Sequence, residues 1–342
     1  MSITVHDATE EDIGRWNRCV TQSAHASPFH QYEALQLLSQ YSETTCYPLI
    51  GLKGEEPIGL LPVFERSIGP IQIITSPPGG FEVYYLGVTL NVTSQLKQRK
   101  AERRNREFIN GCIEWIEREL SPDVINIRSG DRYTDLRPLK NNRFDTTPYY
   151  TYVVDLSPGK EDVMMSFSSD ARSNTRSEGG YEIRTGRDGA CERIIGQVAD
   201  RLGAMDVQYN ITPAYIRDLS DVFPDGTIRP YECLVDGESI GGIIVLESGN
   251  TVYRWQGGTK QNSEIPVNDL LDWRIMRDAI DRDIERYDLY GANIARTAKY
   301  KSKFGPDPTP YYSATKQSPR AAILSRLRNT LPSEGILSAV RS

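Results

Sequence analysis

Histidine is nearly missing from this chain: its 342 residues hold three, His6, His25 and His30, all near the amino-terminal end. Most of the sequence therefore has no imidazole for a zinc site or a Ser-His-Asp triad, and we expect neither a metal nor histidine-dependent hydrolysis. The cysteines, Cys19, Cys46, Cys112, Cys191 and Cys233, form no CxxC pair and no disulfide rhythm, so free and mostly buried thiols are expected. No apolar run approaches the roughly 18 residues of a membrane-spanning helix. The opening MSITVHDATEED meets acidic residues before any hydrophobic stretch, so no secretory signal is expected and the chain reads as cytoplasmic. An excess of positive charge is lacking too. Forty basic residues against 46 acidic ones give a net charge of -6, which disfavours a wide nucleic-acid footprint and leaves room for a local basic patch.

What is present reads as an ordinary globular chain, 38% hydrophobic and 25% charged, long enough for about two domains. Thr9 and Asp12 resemble a capping box, and Ile13, Trp16, Cys19 and Val20 recur at helical spacing, predicting a helix from Glu10 to Thr21. Two apolar runs, 47–52 and 58–64, flank a Lys53-Gly54 turn and predict a hairpin, with Pro62 marking an edge or a strand end. A Pro/Gly loop at 76–80, a short apolar segment at 84–90 as the further strand, a polar stretch, a helix through Ile109, Cys112, Ile113, Ile116 and Leu120, and a strand at 123–127 follow. The second half repeats the order. Strands at 231–235, 240–247 and 251–256 are separated by Asp236-Gly237 and Gly249-Asn250 turns, then come a helix from Asn268 to Glu285 and a strand at 287–290. A hairpin, a further strand, a helix and a strand in each half predict a duplicated α/β unit with its junction near Asp145–Tyr152.

Several segments of the second half resemble the FemAB family of the GNAT acyltransferase superfamily. They are TYVVDLS (151–157), SFSSDARSNTRSE (166–178), the stretch from VYRWQGG (252–258) through VNDLLDWRIMRDAI (267–280), YDLYGAN (287–293) and YKSKFG (300–305). The first half is similar more loosely, through SPFHQYEALQLL (27–38), which carries Tyr32 where the family often has tryptophan. The resemblance implies an α/β fold of two tandem GNAT-like domains, each a mixed central sheet flanked by helices. We place them at 1–148 and 149–318, with an amphipathic helix and tail at 319–342. It also implies transfer of an aminoacyl or acyl group to an amine, as in cell-wall or surface-polymer assembly, where the family moves aminoacyl groups from aminoacyl-tRNA to a peptidoglycan precursor. Such aminolysis needs a neutral amine, an aligned carbonyl and positive charge or N–H donors at the developing oxyanion, with no obligatory covalent nucleophile.

Carried onto this sequence, the resemblance implies catalytic roles for Lys301 and for Tyr300, which stands where phenylalanine is frequent. It implies substrate-binding roles for Arg172 and Arg176 and for Tyr253, Trp255, Gln256, Gly257 and Asn268. The residues themselves leave alternatives open. Lys301 is either a cation for the oxyanion or leaving oxygen, or a solvated surface lysine, with Lys299 and Lys303 as flanking candidates. Arg172 and Arg176, four apart on one helical face, either hold a phosphate or the acceptor, or pair with Asp170 or Glu178. Gly257 and Gly258 either admit a close-approaching ligand or form a turn. Asp288 either orients Lys301 or acts as a base, or pairs structurally.

An acetyl-CoA site of the usual GNAT type would carry a Gln/Arg-x-x-Gly-x-Gly/Ala loop to cradle pyrophosphate at a helix start, and GGTKQNSEIPVND stands there instead. We therefore expect no tightly bound cofactor and an acyl donor that is either aminoacyl-tRNA or acyl-CoA, acting on a small-molecule or lipid-linked amine acceptor. Six basic residues between Lys97 and Arg106 either meet tRNA phosphates or form a solvated face before a helix. Beyond Pro319, Ile323, Leu324, Leu327 and Leu331 oppose Arg320, Arg326 and Arg328. That pattern predicts a helix for peripheral membrane contact or for docking onto the first domain. Nineteen tyrosines against eight phenylalanines suit a polar, extended substrate. Two readings stand beside aminoacyl transfer: a CoA-dependent N-acetyltransferase acting on a sugar, lipid or polysaccharide precursor, and a non-catalytic polymer- or RNA-binding module.

Overall fold

The computed structural model describes residues 2–91, 96–177, 179–186, 188–259 and 264–322. Contacts divide the chain into two units, one formed by residues up to Tyr149 together with those from Pro310, the other by Tyr150–Thr309. The segment from Pro310 returns to the first unit, eight residues before the expected boundary at 318, because Tyr312–Gln317 pairs with Val124–Ser129.

The first unit runs β1 (Thr4–Asp7), α1 (Ile13–Gln22), α2 (Tyr32–Ser42), β2 (Thr45–Lys53), β3 (Glu56–Ile68), β4 (Ile71–Ser76), β5 (Thr89–Leu90), α3 (Gln98–Glu119), β6 (Val124–Ser129) and α4 (Arg137–Asn141), then the start of β7 (Asp145–Asp155). The second takes the rest of β7, then α5 (Lys160–Ser166), α6 (Ser169–Thr175), β8 (Glu182–Thr185), α7 (Ala190–Gly203), α8 (Pro213–Val222), β9 (Ile228–Val235), β10 (Glu238–Ser248), β11 (Thr251–Thr259), α9 (Val267–Ile280), β12 (Arg286–Asp288), α10 (Ala295–Lys301) and the start of β13 (Asp307–Gln317).

The expected repeat is present. In the first unit the strands lie in the order β1-β2-β3-β4-β6-β13, in the second β7-β12-β11-β10-β9-β8. Each unit has antiparallel hairpins leading to one parallel pair, β4 with β6 and β11 with β12, bridged by α3 and α9 respectively. An antiparallel strand closes each pair, β13 on β6 and β7 on β12. One parallel step bridged by a helix is what an α/β crossover requires.

Each unit has its own core. Phe108, Ile109, Cys112, Ile113 and Ile116 of α3 pack on Leu49, Leu61, Ile74, Ile125 and Ile127. Phe108 lies over Gly51 and Gly59, which face each other across β2 and β3; a Cβ at these positions would approach the ring to 2.4 Å and 2.7 Å. In the second unit Leu271, Ile275, Met276 and Ala279 of α9 meet Ile243, Val245, Val252 and Tyr287.

The structure departs from the sequence expectations at several places. Pro62 sits inside β3 opposite Pro48 and is not a strand end, a pairing that suits the ladder position whose N–H groups point away from the partner strand. The basic run lies within α3 and does not precede it, since Arg, Lys, Gln and Glu are strong helix formers. α9 stops at Ile280 because Asp283 takes a left-handed conformation, φ 58°, while Ile284 N–H returns to the Ala279 carbonyl. The amphipathic segment with Ile323, Leu324, Arg326, Leu327, Arg328 and Leu331 lies outside the described residues. Cys19, Cys112 and Cys233 are buried free thiols, and burial pushes the Cys19 thiol up to about 12. Among the described residues no helix is long and apolar enough to cross a membrane.

Candidate active site

The candidate site of the second unit begins with a fault in its sheet. β10 and β11 pair regularly until Ile244 faces Gln256; the next step sets Val245 opposite Arg254, so Trp255 is an extra residue that bends β11. On its other side β11 runs parallel to β12 only from Thr251 to Tyr253, opposite Arg286 to Asp288. β11 continues to Thr259, and among the described residues no strand pairs with that edge beyond Tyr253. Two parallel strands thus part company, and β11 runs on without β12 beside it.

β12 ends because the chain turns away at Tyr290, φ 59°, and Gly291, φ 87°. Three side chains hold this turn. The buried Asp288 carboxylate accepts from Tyr290 N–H at 2.8 Å and from the Thr151 hydroxyl at 2.6 Å, while Thr151 Oγ1 accepts from Gly291 N–H at 2.9 Å. Lys301 Nζ donates to the carbonyls of Tyr290 and Gly291 at 2.9 Å and 2.8 Å. Lys301 is therefore not a solvated surface lysine: it is only 6% exposed, at the end of α10, with its ammonium on the chain that leaves β12. Asp288 and Lys301 act on the same turn, one through its amides and the other through its carbonyls.

Tyr300, the neighbour of Lys301, points to a second cluster. Its hydroxyl donates to Asp272 Oδ2 at 2.7 Å, and Tyr287 donates to Oδ1 at 2.6 Å. Arg254 Nε donates to the same Oδ1 at 2.8 Å, and its Nη2 reaches Asn268 Oδ1 at 3.2 Å. Asp272 is fully buried and carries three donors, the arrangement a buried carboxylate needs. Burial, then the Asp272 charge, pushes the Tyr287 and Tyr300 phenols well above their ordinary range. Burial works against the Arg254 charge, and Asp272 more than offsets it. One turn earlier on α9, Asp269 pairs with Lys303 at 2.5 Å and accepts from Asn174 at 2.6 Å, and Lys303 Nζ sits 4.3 Å from the Tyr300 ring centroid. The two α9 carboxylates thus grip positions 300 and 303, one on each side of Lys301.

The other expected site residues fall into three places. Tyr253 packs edge-on to Tyr290 with centroids 6.1 Å apart. Gln256 accepts from the Tyr209 hydroxyl at 2.8 Å, and the Gly257 carbonyl accepts from Arg201 at 3.1 Å. Gly258 faces α7, where a Cβ would meet Val198 at 3.1 Å. Arg172 donates to the carbonyls of Met165 and Phe167, closing the α5–α6 junction in place of the expected pairing with Asp170, and Glu178 lies outside the described residues. Arg176 is exposed, and together with Arg172, Asn174 and Glu264 it lines a shallow concavity of about 650 Å³. Sequence reasoning missed Asp269, Asp272, Arg254 and Thr151. The signal was available: two acids three apart within the apolar face of one helix.

Comparison with known proteins follows this geometry. Residues 168–302 match the family model described as an acetyltransferase (GNAT) domain. This segment is a GNAT domain. Its bent β11 and the divergence from β12 are part of that domain. No curated protein matches the sequence. Among solved structures the chain is similar to FemX, with a TM-score of 0.71 at 12% identity over 94% of this chain and 99% of that one. It is also similar to the C-terminal domain of a putative lysylphosphatidylglycerol synthetase from Agrobacterium fabrum, with a TM-score of 0.56 at 14% identity over 95% and 98% of the two chains. A tandem GNAT protein from the clavulanic acid biosynthesis pathway matches with a TM-score of 0.52 at 10% identity over 92% and 98%. At these identities the likeness is one of fold.

Proposed function

We propose that the GNAT domain transfers an aminoacyl or acyl group to an amine acceptor of the cell envelope, with the acyl carbonyl lodged against β11 where it leaves β12. The parting of these strands carries the reading. Beyond it β11 runs on without β12, and a buried lysine holds the chain that leaves β12; an aligned carbonyl and positive charge at its oxyanion are what aminolysis requires. In the reaction the neutral amine attacks the carbonyl carbon. The leaving oxygen or sulfur then departs with its electron pair, and a proton is lost from nitrogen. Lys301 supplies positive charge at the oxyanion. Asp288, committed to Thr151 and the Tyr290 amide, holds the turn and does not serve as the base. Tyr300 is an anchor, its hydroxyl spent on Asp272. Arg176 is assigned to an anionic group of the acceptor. The envelope setting draws support from the FemX and lysylphosphatidylglycerol synthetase folds.

The test is a thermal-shift screen of the full chain against acyl-CoAs, mixed aminoacyl-tRNA and lipid- or nucleotide-linked amines, with mass spectrometry of the products. A ligand that binds only the folded state at about 100 times its Kd should stabilise by about 2.7 kcal/mol. Stabilisation by a donor together with acyl transfer to an amine is expected. Stabilisation without turnover, whatever the donor, would replace the enzyme reading by the binding-module one, and stabilisation by CoA esters alone would fix the donor as a thioester.

A further inference from the structure

The sheet of the second unit ends in a strand that acyl transfer does not use. β8 (Glu182–Thr185) lies last in that unit's strand order, and among the described residues it pairs with β9 alone. The ladder fixes which way its main chain points. Thr185 stands opposite Tyr231, and the next residue, Gly186, donates its N–H to the Pro230 carbonyl at 3.3 Å. Alternate residues of an antiparallel strand direct their main-chain groups to opposite sides. Arg184 and Glu182 therefore turn theirs towards β9, while Ile183 and Thr185 turn theirs outward.

An outward row of N–H and C=O groups is a template for another strand, and natural edges are commonly blunted with lysine, whose charge repels an identical edge. β8 carries one charge of each sign instead. Glu182 and Arg184 are both exposed, share one face of the strand and bond to each other at 2.6 Å. The acid opposite Arg184 in the ladder, Glu232, is already held by Arg193 at 2.7 Å. Ile183, on the other face, packs against the core of the unit. Read backwards, Glu-Ile-Arg exchanges its two charges. A copy of β8 running antiparallel to the first, with the two-fold axis at Ile183, sets each Glu182 against the Arg184 of the other copy. These pairs fall at the non-hydrogen-bonded position, where facing Cα atoms come to about 4.5 Å and side chains are closest. The outward groups of the two Ile183 residues meet at the hydrogen-bonded position of the same register.

We propose that β8 is a self-pairing edge, through which two copies of this chain join their sheets in a two-fold dimer. Main-chain direction and charge are both satisfied by one register, and the charge pattern is complementary to itself, which is what an isologous contact requires. That self-complementarity favours a second copy over an unrelated extended peptide, which would have to supply the matching acid and base. A strand of four residues buries little surface, so the association belongs to the weak, concentration-dependent class. The proposal does not depend on the acyl-transfer reading, and each stands if the other fails.

The experiment is analytical ultracentrifugation of the full chain at low salt, over concentrations from about 5 µM to about 500 µM, a range that brackets a weak Kd on the order of 100 µM. The parent should move from monomer towards dimer across that range. R184E and E182R each set like charges opposite one another at both ends of the paired strands, and each should weaken dimerisation by at least about 10-fold. The double reversal E182R/R184E leaves every cross-strand pair attractive and should restore dimerisation to within about 3-fold of the parent. Both positions are exposed, so the three charge variants should melt with the parent. Ile183→Pro removes an N–H that faces away from β9 and should also abolish association. A parent that stays monomeric at about 500 µM overturns the proposal. Dimerisation of R184E equal to that of the parent, which would mean contact through another surface, overturns it as well, and so does a double reversal no better than the single ones.

Discussion

Asp272→Ala is the sharpest perturbation of the second unit. The carboxylate is fully buried and accepts from Arg254, Tyr287 and Tyr300. Removing it strands the buried Arg254 charge and two phenol hydroxyls at once. Breaking a buried pair from one side costs about 3 to 5 kcal/mol, which for a unit of this size is a fall in melting temperature of roughly 6 to 20 °C. The reverse deletion, Arg254→Leu, should cost less, because two tyrosine donors remain on the carboxylate. The double variant Arg254→Leu/Asp272→Leu should recover most of the loss, since an apolar pair of similar volume replaces a buried ion pair nearly neutrally. Urea melts of the parent, Arg254→Leu, Asp272→Leu and the double variant, followed by circular dichroism, complete the cycle. A loss below about 1 kcal/mol for Asp272→Ala, or a double variant whose loss equals the sum of the singles, would refute the picture of one carboxylate tying β11, β12 and α10 together. Amide exchange gives a second check: residues 286–304 should lose protection in Asp272→Ala more than β9 or β10 does.

Three further outcomes are expected. Lys301→Ala should lower turnover by roughly 100- to 1000-fold, and it should also lower the melting temperature, since the carbonyls of Tyr290 and Gly291 lose their donor; near-normal kcat with an identified donor and acceptor would remove Lys301 from the mechanism. Burial draws His30 down to about 4 from 6.5. The unfolded chain therefore takes up the proton first, and stability held above pH 6.5 is lost as pH falls towards 4, by about 2 kcal/mol at pH 5; urea melts at the two pH values should show this loss, and His30→Gln should shrink it. Gly51→Ala should destabilise the first unit through collision with the Phe108 ring, and pairing it with Phe108→Leu should cost less than the two changes added separately, a difference that the same melts would read.

Much of the fold could be read from the sequence because its turns are chemically explicit. Lys53-Gly54, Asp236-Gly237 and Gly249-Asn250 separate apolar runs of strand length, and the repeated order of hairpin, strand, helix and strand is found in the structure, although the further strand of the first unit is Ile71–Ser76 and not the 84–90 segment, of which only Thr89–Leu90 is strand. The site was legible only in part. Lys301, Tyr300 and Asp288 were singled out by motif, but their contacts depend on backbone turns that no periodicity encodes, such as the left-handed Tyr290. Asp269 and Asp272 were passed over because helical patterning treats an acid as a marker of the solvent face, whereas α9 is covered on that face by Arg254, Lys303 and Tyr300. At the glycines of β11 the sequence left a close-approaching ligand and a turn both open, and it could not show that α7 packs against Gly258. The basic run was placed before a helix and lies almost wholly within it, its helix propensity having been set aside.

The return of the chain at Pro310 bears on how the protein can be taken apart. Cutting at the midpoint would not release an intact first unit, because Tyr312–Gln317 would leave with the other fragment and expose the whole edge of β6. Such an edge invites pairing with other chains, so an amino-terminal fragment ending near 149 should aggregate. The separable module is the inserted one, residues 150–309, and the first unit should survive as a protein in which that insert is replaced by a short loop joining Tyr149 to Pro310. In evolutionary terms, the second unit can be lengthened, exchanged or lost as a cassette, while the first must keep both ends of the chain.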